Sequence, residues 1–117
     1  MLIVVVSDKK KDVSSTSGMQ TSVETSALIQ TRAKTVVPER MKQFEAAIAA
    51  HDFEKFGVLT MQDSNQFHAV CLDTYPPIFY MNDVSKQIVQ LITRYNAHYK
   101  TIKVRNLTCT RLFRSSR

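Results

Sequence analysis

Five adjacent residues, Ser14, Ser15, Thr16, Ser17 and Gly18, carry the densest potential chemistry in this sequence. A run of hydroxyls leading into a helix sets O–H donors beside unpaired backbone N–H groups, and the positive end of the helix dipole favours an anion there. Lys9, Lys10 and Lys11 lie close in sequence and add positive potential. The commoner reading of the same residues is capping, in which Ser and Thr satisfy the free donors of the helix that follows. Spacing alone leaves both readings open.

The remaining reactive types are less well placed. His51, His68 and His98 have no cysteine or acid at ligand spacing, and His68 follows Asp63 at i+5, off a shared helical face. His68 therefore reads as a packed or capping residue, and no metal-binding residue is assigned. Cys71 sits at the apolar end of a helix with no base nearby and reads as core rather than nucleophile. Asp63, Ser64, Asn65 and Gln66 form a polar cluster within a helix, which fits a solvated face more often than a cleft. Gly18 and Gly57 are the only glycines, so the sequence holds no glycine-rich phosphate loop.

These residues need elements to position them. Leu2–Ser7 is a continuous apolar, β-branched run, the pattern of a strand covered on both faces. The hydroxyl-rich stretch leads into a helix from about Met19 to Lys34. A second helix starts near Pro38, whose missing N–H suits a first helical position, and carries Met41, Phe44 and Ile48 on one face. His51-Asp52 breaks it, with Asp52 as the N-cap of a third helix running to about Leu72. Tyr75-Pro76-Pro77 stops that helix, a short extended piece spans Ile78–Met81, and Asn82-Asp83 caps a fourth. Val84, Ile88, Leu91, Ile92 and Tyr95 give this last helix the clearest apolar stripe in the chain. Thr101–Val104 begins a final strand. The expected fold class is thus α+β, with one N-terminal strand, about four helices and a truncated last strand.

Composition sets the outer limits. With 117 residues, 44% hydrophobic and 22% charged, the chain has the make-up of one ordinary globular domain. Two cysteines are too few for a disulfide scaffold. Met1–Val6 is the longest uninterrupted apolar stretch, far short of a membrane span, and it lacks the marks of a signal peptide. The expectation is a soluble, cytoplasmic protein with no membrane partner, in which the Asn106-Leu107-Thr108 glycosylation triplet stays idle. Net charge is +6, yet the ten basic and ten acidic residues of positions 1–99 cancel. The whole excess therefore lies in Lys100, Lys103, Arg105, Arg111, Arg114 and Arg117. Such a break in composition calls for its own explanation, and without a recognised module or interleaved aromatics it does not indicate nucleic acid.

Several stretches together resemble a known family. LIVVVSDKKK at Leu2–Lys11, SSTSGMQTSVETS at Ser14–Ser26 and VVPERM at Val36–Met41 are similar to the C-terminal portion of the eukaryotic, fungal-like diphosphomevalonate decarboxylases. So are HDF at His51–Phe53, LTMQDSNQFHAVCLDTYPPIFY at Leu59–Tyr80 and YNAH at Tyr95–His98. The resemblance covers residues 1–104; residues 105–117 form a divergent basic tail. It implies the superfamily of galactokinase, homoserine kinase, mevalonate kinase and phosphomevalonate kinase, and a two-lobed α+β enzyme of which this chain supplies part of the C-terminal lobe.

The activity so implied is ATP-dependent phosphorylation of the tertiary hydroxyl of 5-diphosphomevalonate. Loss of that phosphate with carbon dioxide then gives isopentenyl diphosphate, the precursor of isoprenoids and sterols. Such chemistry needs cations and hydroxyls on the diphosphate, Mg²⁺ on ATP and a carboxylate at the reacting hydroxyl. By the resemblance, Ser15 and Thr16 fall at substrate-contacting positions and Met19 beside the same pocket. No catalytic residue of the family falls in this chain. ATP and Mg²⁺ belong to the complete enzyme, whose ATP loop and substrate-clamping arginine lie in the other lobe, and the resemblance implies a homodimer.

After Val104 the family continues Ala-Tyr-Thr-Phe-Asp-Ala-Gly-Pro-Asn, with the catalytic carboxylate on that Asp. This sequence instead reads Arg105-Asn106-Leu107-Thr108-Cys109, with no acid after Asp83. A frameshift, a misplaced splice junction or a gene-prediction error near codon 105 is expected, with Met1 an internal start or an artefact of gene prediction. The chain alone is then expected to be inactive and to bind no ATP. The alternative is a non-catalytic interaction lobe that pairs with an intact subunit. A weaker third reading is a kinase of mevalonate-type alcohols that does not decarboxylate.

Overall fold

In the computed structural model, described for residues 12–100, the chain is a stack of helices. Helix α1, Ser15–Thr25, starts four residues earlier than expected, because Ser14 alone serves as its cap: its backbone is extended and its Oγ accepts the Ser17 N–H at 3.1 Å. The helix ends at Ser26, which turns the chain and caps α2, Ala27–Thr31, by accepting the Ile29 N–H at 3.3 Å. The single helix expected to Lys34 is therefore two. Its break is fixed from a distance, since Asp73 accepts both the Ser26 hydroxyl at 2.6 Å and the Leu28 N–H at 3.0 Å.

From α2 the chain passes through a wide π turn, Arg32–Val36, where the Val37 N–H bonds back to the Arg32 carbonyl. It runs without interruption into α3, Val37–Ala49. A regular helix would bring the Pro38 ring against the carbonyl four residues back and leave that carbonyl unbonded; widening the turn relieves both. The corner after α3 is sharp and fully bonded. His51 takes a left-handed φ of 51°, its N–H bonds Ile48 O at 3.1 Å, and the Asp52 N–H bonds Ala47 O at 2.8 Å. Asp52 then caps α4, Phe53–Asp73, by accepting the Lys55 N–H at 2.9 Å. Asn82 does the same for α5, Asp83–Tyr99, through the Ser85 N–H at 2.8 Å.

Helix α4 forms the centre of the stack. Leu59, Val70 and Cys71 of α4 are buried, as are Ala47 of α3 and Ile78 of the loop after α4. Phe44 and Phe56 meet edge to face at 5.4 Å and lock α3 against α4. Helix α1 crosses the far end of α4, where Thr74 is 1% exposed. The hydroxyls of Ser22 and Thr74 lie 2.8 Å apart and reach the carbonyls of Gly18 and Val70.

The α+β expectation is corrected for these residues: every regular element among the described residues is helical, and no strand occurs there. Between residues 12 and 100 the apolar spacing and the caps all serve helices, and Ile78–Met81 joins no ladder among the described residues. The strand expected at Leu2–Ser7, the last strand at Thr101–Val104 and the basic tail lie outside the described residues.

Candidate functional site

The first turn of α1 has its N1 and N2 amides, those of Ser15 and Thr16, at the unpaired start of the helix. No acidic residue lies in that turn to offset the positive end of the dipole. Ser15 and Met19, at i and i+4, share a face and line a cavity of about 230 Å³ between α1, α4 and the loop Ile78–Tyr80. Thr16 is exposed on the neighbouring flank and does not line it. Met19 is 63% exposed despite its apolar side chain. Val70, Ile78 and Phe67 make most of the cavity wall apolar. Lys9–Lys11, expected to add positive potential, lie outside the described residues.

Two contacts set the height of this turn. The Ser14 carbonyl accepts the Gly18 N–H at 2.8 Å and the Tyr80 hydroxyl at 3.5 Å. Gly18 is buried, and a Cβ there would sit 2.6 Å from Tyr80 Oη, so no larger residue fits while that hydroxyl stays in place. Behind Tyr80, the Phe67 ring lies nearly parallel to it, 4° between planes and 6.5 Å between centroids. Burial first, and the neighbouring Cys71 second, push the Tyr80 phenol above its ordinary range. Burial likewise raises the Cys71 thiol, in keeping with a core residue.

The polar cluster of α4 has a specific use. Asp63 Oδ1 receives Arg32 at 2.9 Å from the π turn and Arg40 at 3.3 Å from α3, and Gln66 accepts from Arg32 as well. The two arginine side chains are 17% and 16% exposed, so one carboxylate serves two mostly buried cations. Arg32 also lines the cavity. His68 is buried and meets Phe67 edge to face at 5.4 Å, as a packed residue should.

Sequence reasoning missed Arg32, Arg40 and Tyr80. Asp63 and Gln66 stand at i+3 on one face of α4, which was the available signal, but their partners lie 23 to 34 residues earlier. Nothing in the one-dimensional pattern joins Tyr80 to Gly18. Among the described residues no group of three His, Cys, Asp or Glu side chains could hold a metal ion. No described helix is long and apolar enough to cross a membrane.

A hydroxyl-lined helix start free of acids thus lies beside a mainly apolar cavity. Residues 1–106 match the family described as Mevalonate 5-diphosphate decarboxylase C-terminal domain. The chain is 61% identical over 104 residues to the diphosphomevalonate decarboxylase of Danio rerio, covering 89% of this chain and 26% of that protein. It superposes on the 2.3 Å crystal structure of mevalonate 5-diphosphate decarboxylase with a TM-score of 0.87 and 50% identity, over 91% of this chain and 27% of the other. A structure described as MDDEF in complex with MVAPP, AMPPCP and magnesium gives a TM-score of 0.73 at 31% identity, over 80% and 28% of the two chains. The chain belongs to the C-terminal domain family of the diphosphomevalonate decarboxylases, which are lyases. It spans about a quarter of the length of the curated relatives it matches.

Proposed function

We propose that this chain forms one wall of the substrate cleft in an ATP-dependent decarboxylase that converts 5-diphosphomevalonate to isopentenyl diphosphate. The observation that carries this reading is the first turn of α1, free of acids and set over the apolar cavity. In it the Ser15 hydroxyl and the Ser15 and Thr16 amides take the diphosphate, whose charge the helix start favours. Met19 lies against the carbon body of the substrate, which explains an apolar side chain left largely in the open. These residues bind and orient; none of them moves a proton.

ATP and Mg²⁺ supply the phosphoryl group and its charge neutralisation in the complete enzyme. The described residues fit neither, since they offer no metal-ligand cluster and no glycine-rich loop. No step is therefore assigned to them in this chain, and residues 105–117 are taken as a divergent basic tail of the sequence. Turnover requires the rest of the protein, and the same reading carries a cytoplasmic, homodimeric enzyme.

Calorimetric titration of the chain with 5-diphosphomevalonate tests the site. Ser15→Ala is expected to weaken binding about tenfold, the value of a hydrogen bond to a charged group; equal affinity of the two proteins overturns the assignment. The purified chain is expected to release no carbon dioxide from 5-diphosphomevalonate and ATP. Turnover that persists after removal of full-length contaminants overturns that part.

A further inference from the structure

We infer that Tyr80 is a positioning residue, holding the first turn of α1 at the height where Ser15, Thr16 and Met19 meet the ligand. This deepens the reading above and rests on it. Tyr80 sits where the loop after α4 meets the start of α1: its hydroxyl donates to the Ser14 carbonyl at 3.5 Å and lies against buried Gly18, beside Ile78. The same carbonyl closes the first turn through the Gly18 N–H at 2.8 Å. A shift of the phenol therefore moves the cap, the turn and the two free amides as one unit. Phe67 of α4 lies parallel to the ring at 6.5 Å between centroids and closes one side of it. A phenol is protonated at neutral pH, so the hydroxyl is available as a donor.

The arrangement explains why glycine stands in the middle of a helix, where alanine would ordinarily be favoured. A Cβ at position 18 would meet Tyr80 Oη at 2.6 Å and Ile78 Cδ1 at 3.3 Å. Isoleucine's end methyl can yield, whereas the phenol can yield only by giving up its reach to the Ser14 carbonyl. Glycine is the residue that lets the hydroxyl reach the turn.

Three variants of the full 117-residue chain separate positioning from packing: Tyr80→Phe, Gly18→Ala and the double variant. Melting midpoints are measured together with calorimetric affinity for inorganic pyrophosphate. Gly18→Ala alone is expected to lower the melting midpoint. In the Tyr80→Phe background the same change is expected to raise it, since the clash is gone and helix propensity remains. Tyr80→Phe is expected to weaken pyrophosphate binding about fivefold, the worth of one ordinary hydrogen bond, and the double variant is not expected to recover it. Recovered stability without recovered affinity is a result that a purely packing role would not give. Wild-type affinity in Tyr80→Phe, or a double variant as unstable as Gly18→Ala, overturns the inference. A wild-type chain that takes no pyrophosphate overturns the anion reading of the turn itself. Amide exchange at Ser17 and Gly18, expected to quicken about fivefold in Tyr80→Phe, then decides Tyr80 separately, and unchanged exchange overturns it.

Discussion

Along the seam between α1 and the end of α4 the side chains that meet are small and polar, Ser22 with Thr74 and Ser26 with Asp73, while Gly18 of α1 faces the loop after α4. Helix α5 has the strongest apolar stripe in the sequence, yet Leu91 stays 67% exposed, and its two buried residues are the polar Ser85 and Asn96. It makes no close backbone approach to any other helix among the described residues. The seam has little apolar area to bury but pairs its polar groups at short range, and it brings two helices close enough to shape a cavity. Helix α5 leaves much of its apolar stripe away from the other described helices, although Ser85 and Asn96 are buried and Ile88 and Ile92 half-buried. Apolar periodicity reports which face a helix would cover, whereas the residues that build the site are the ones that let backbones approach.

The largest effect is expected where α4 faces the core. Leu59→Ala removes a side chain that is 4% exposed and should cost about 3 kcal/mol, the usual sum of lost transfer energy and residual cavity. Chemical denaturation of the two proteins measures it. A loss under about 1 kcal/mol would mean that the centre of the stack is as loosely covered as α5.

Next comes the shared carboxylate. Asp63→Ala leaves Arg32 and Arg40 facing each other without a counter-charge. A fully buried broken pair costs about 3–5 kcal/mol, but Asp63 is 36% exposed. Solvent screening reduces the expectation to about 1–2 kcal/mol. Asp63→Asn retains an acceptor and should cost less than Asp63→Ala. If the two substitutions cost the same, the retained acceptor adds nothing and charge alone holds the π turn to α4; if Asp63→Asn costs nothing, charge is not what holds it.

A pH titration probes the other end of the seam. The Ser26 hydroxyl first, and the Leu28 N–H second, hold the Asp73 carboxyl below the usual carboxylate range. A group whose folded pKa is depressed gives stability that is present above its unfolded value and lost as pH falls through the folded one. Wild type should therefore lose stability between about pH 4 and the lower folded value, and Asp73→Asn should lose less over that window. Parallel curves for the two proteins would remove Asp73 from the account of the break at Ser26.

Local signals made much of the frame legible. Asp52 and Asn82 cap the helices they were expected to cap, His51-Asp52 turns the chain, and Pro76-Pro77 follows the end of α4. Each of these depends on residues within one helical turn. The break at Ser26 was not legible, because Asp73 imposes it from 47 positions away. The π turn was missed because Pro38 reads as a helix start when the residues before it are not already helical. Ser15 and Met19, named from the family resemblance, line the cavity, while Arg32 and Tyr80 reach it only through tertiary contacts that the sequence pattern does not show.

The smallest expected effect is the one that most directly tests the contrast between seam and stripe. Leu91 lies in the middle of the α5 pattern, and from sequence alone it would be named a core residue. At 67% exposure it has little area left to lose, so Leu91→Ala should change stability by less than about 0.5 kcal/mol, as surface substitutions do. Alanine's higher helix propensity offsets part of even that. Setting Leu91→Ala beside Leu59→Ala under the same denaturant compares two leucines from two helices, one covered and one not. Equal costs of about 2 kcal/mol or more would show that the stripe on α5 is covered in solution. The distinction between a helix that carries a pattern and a seam that carries the site would then fall.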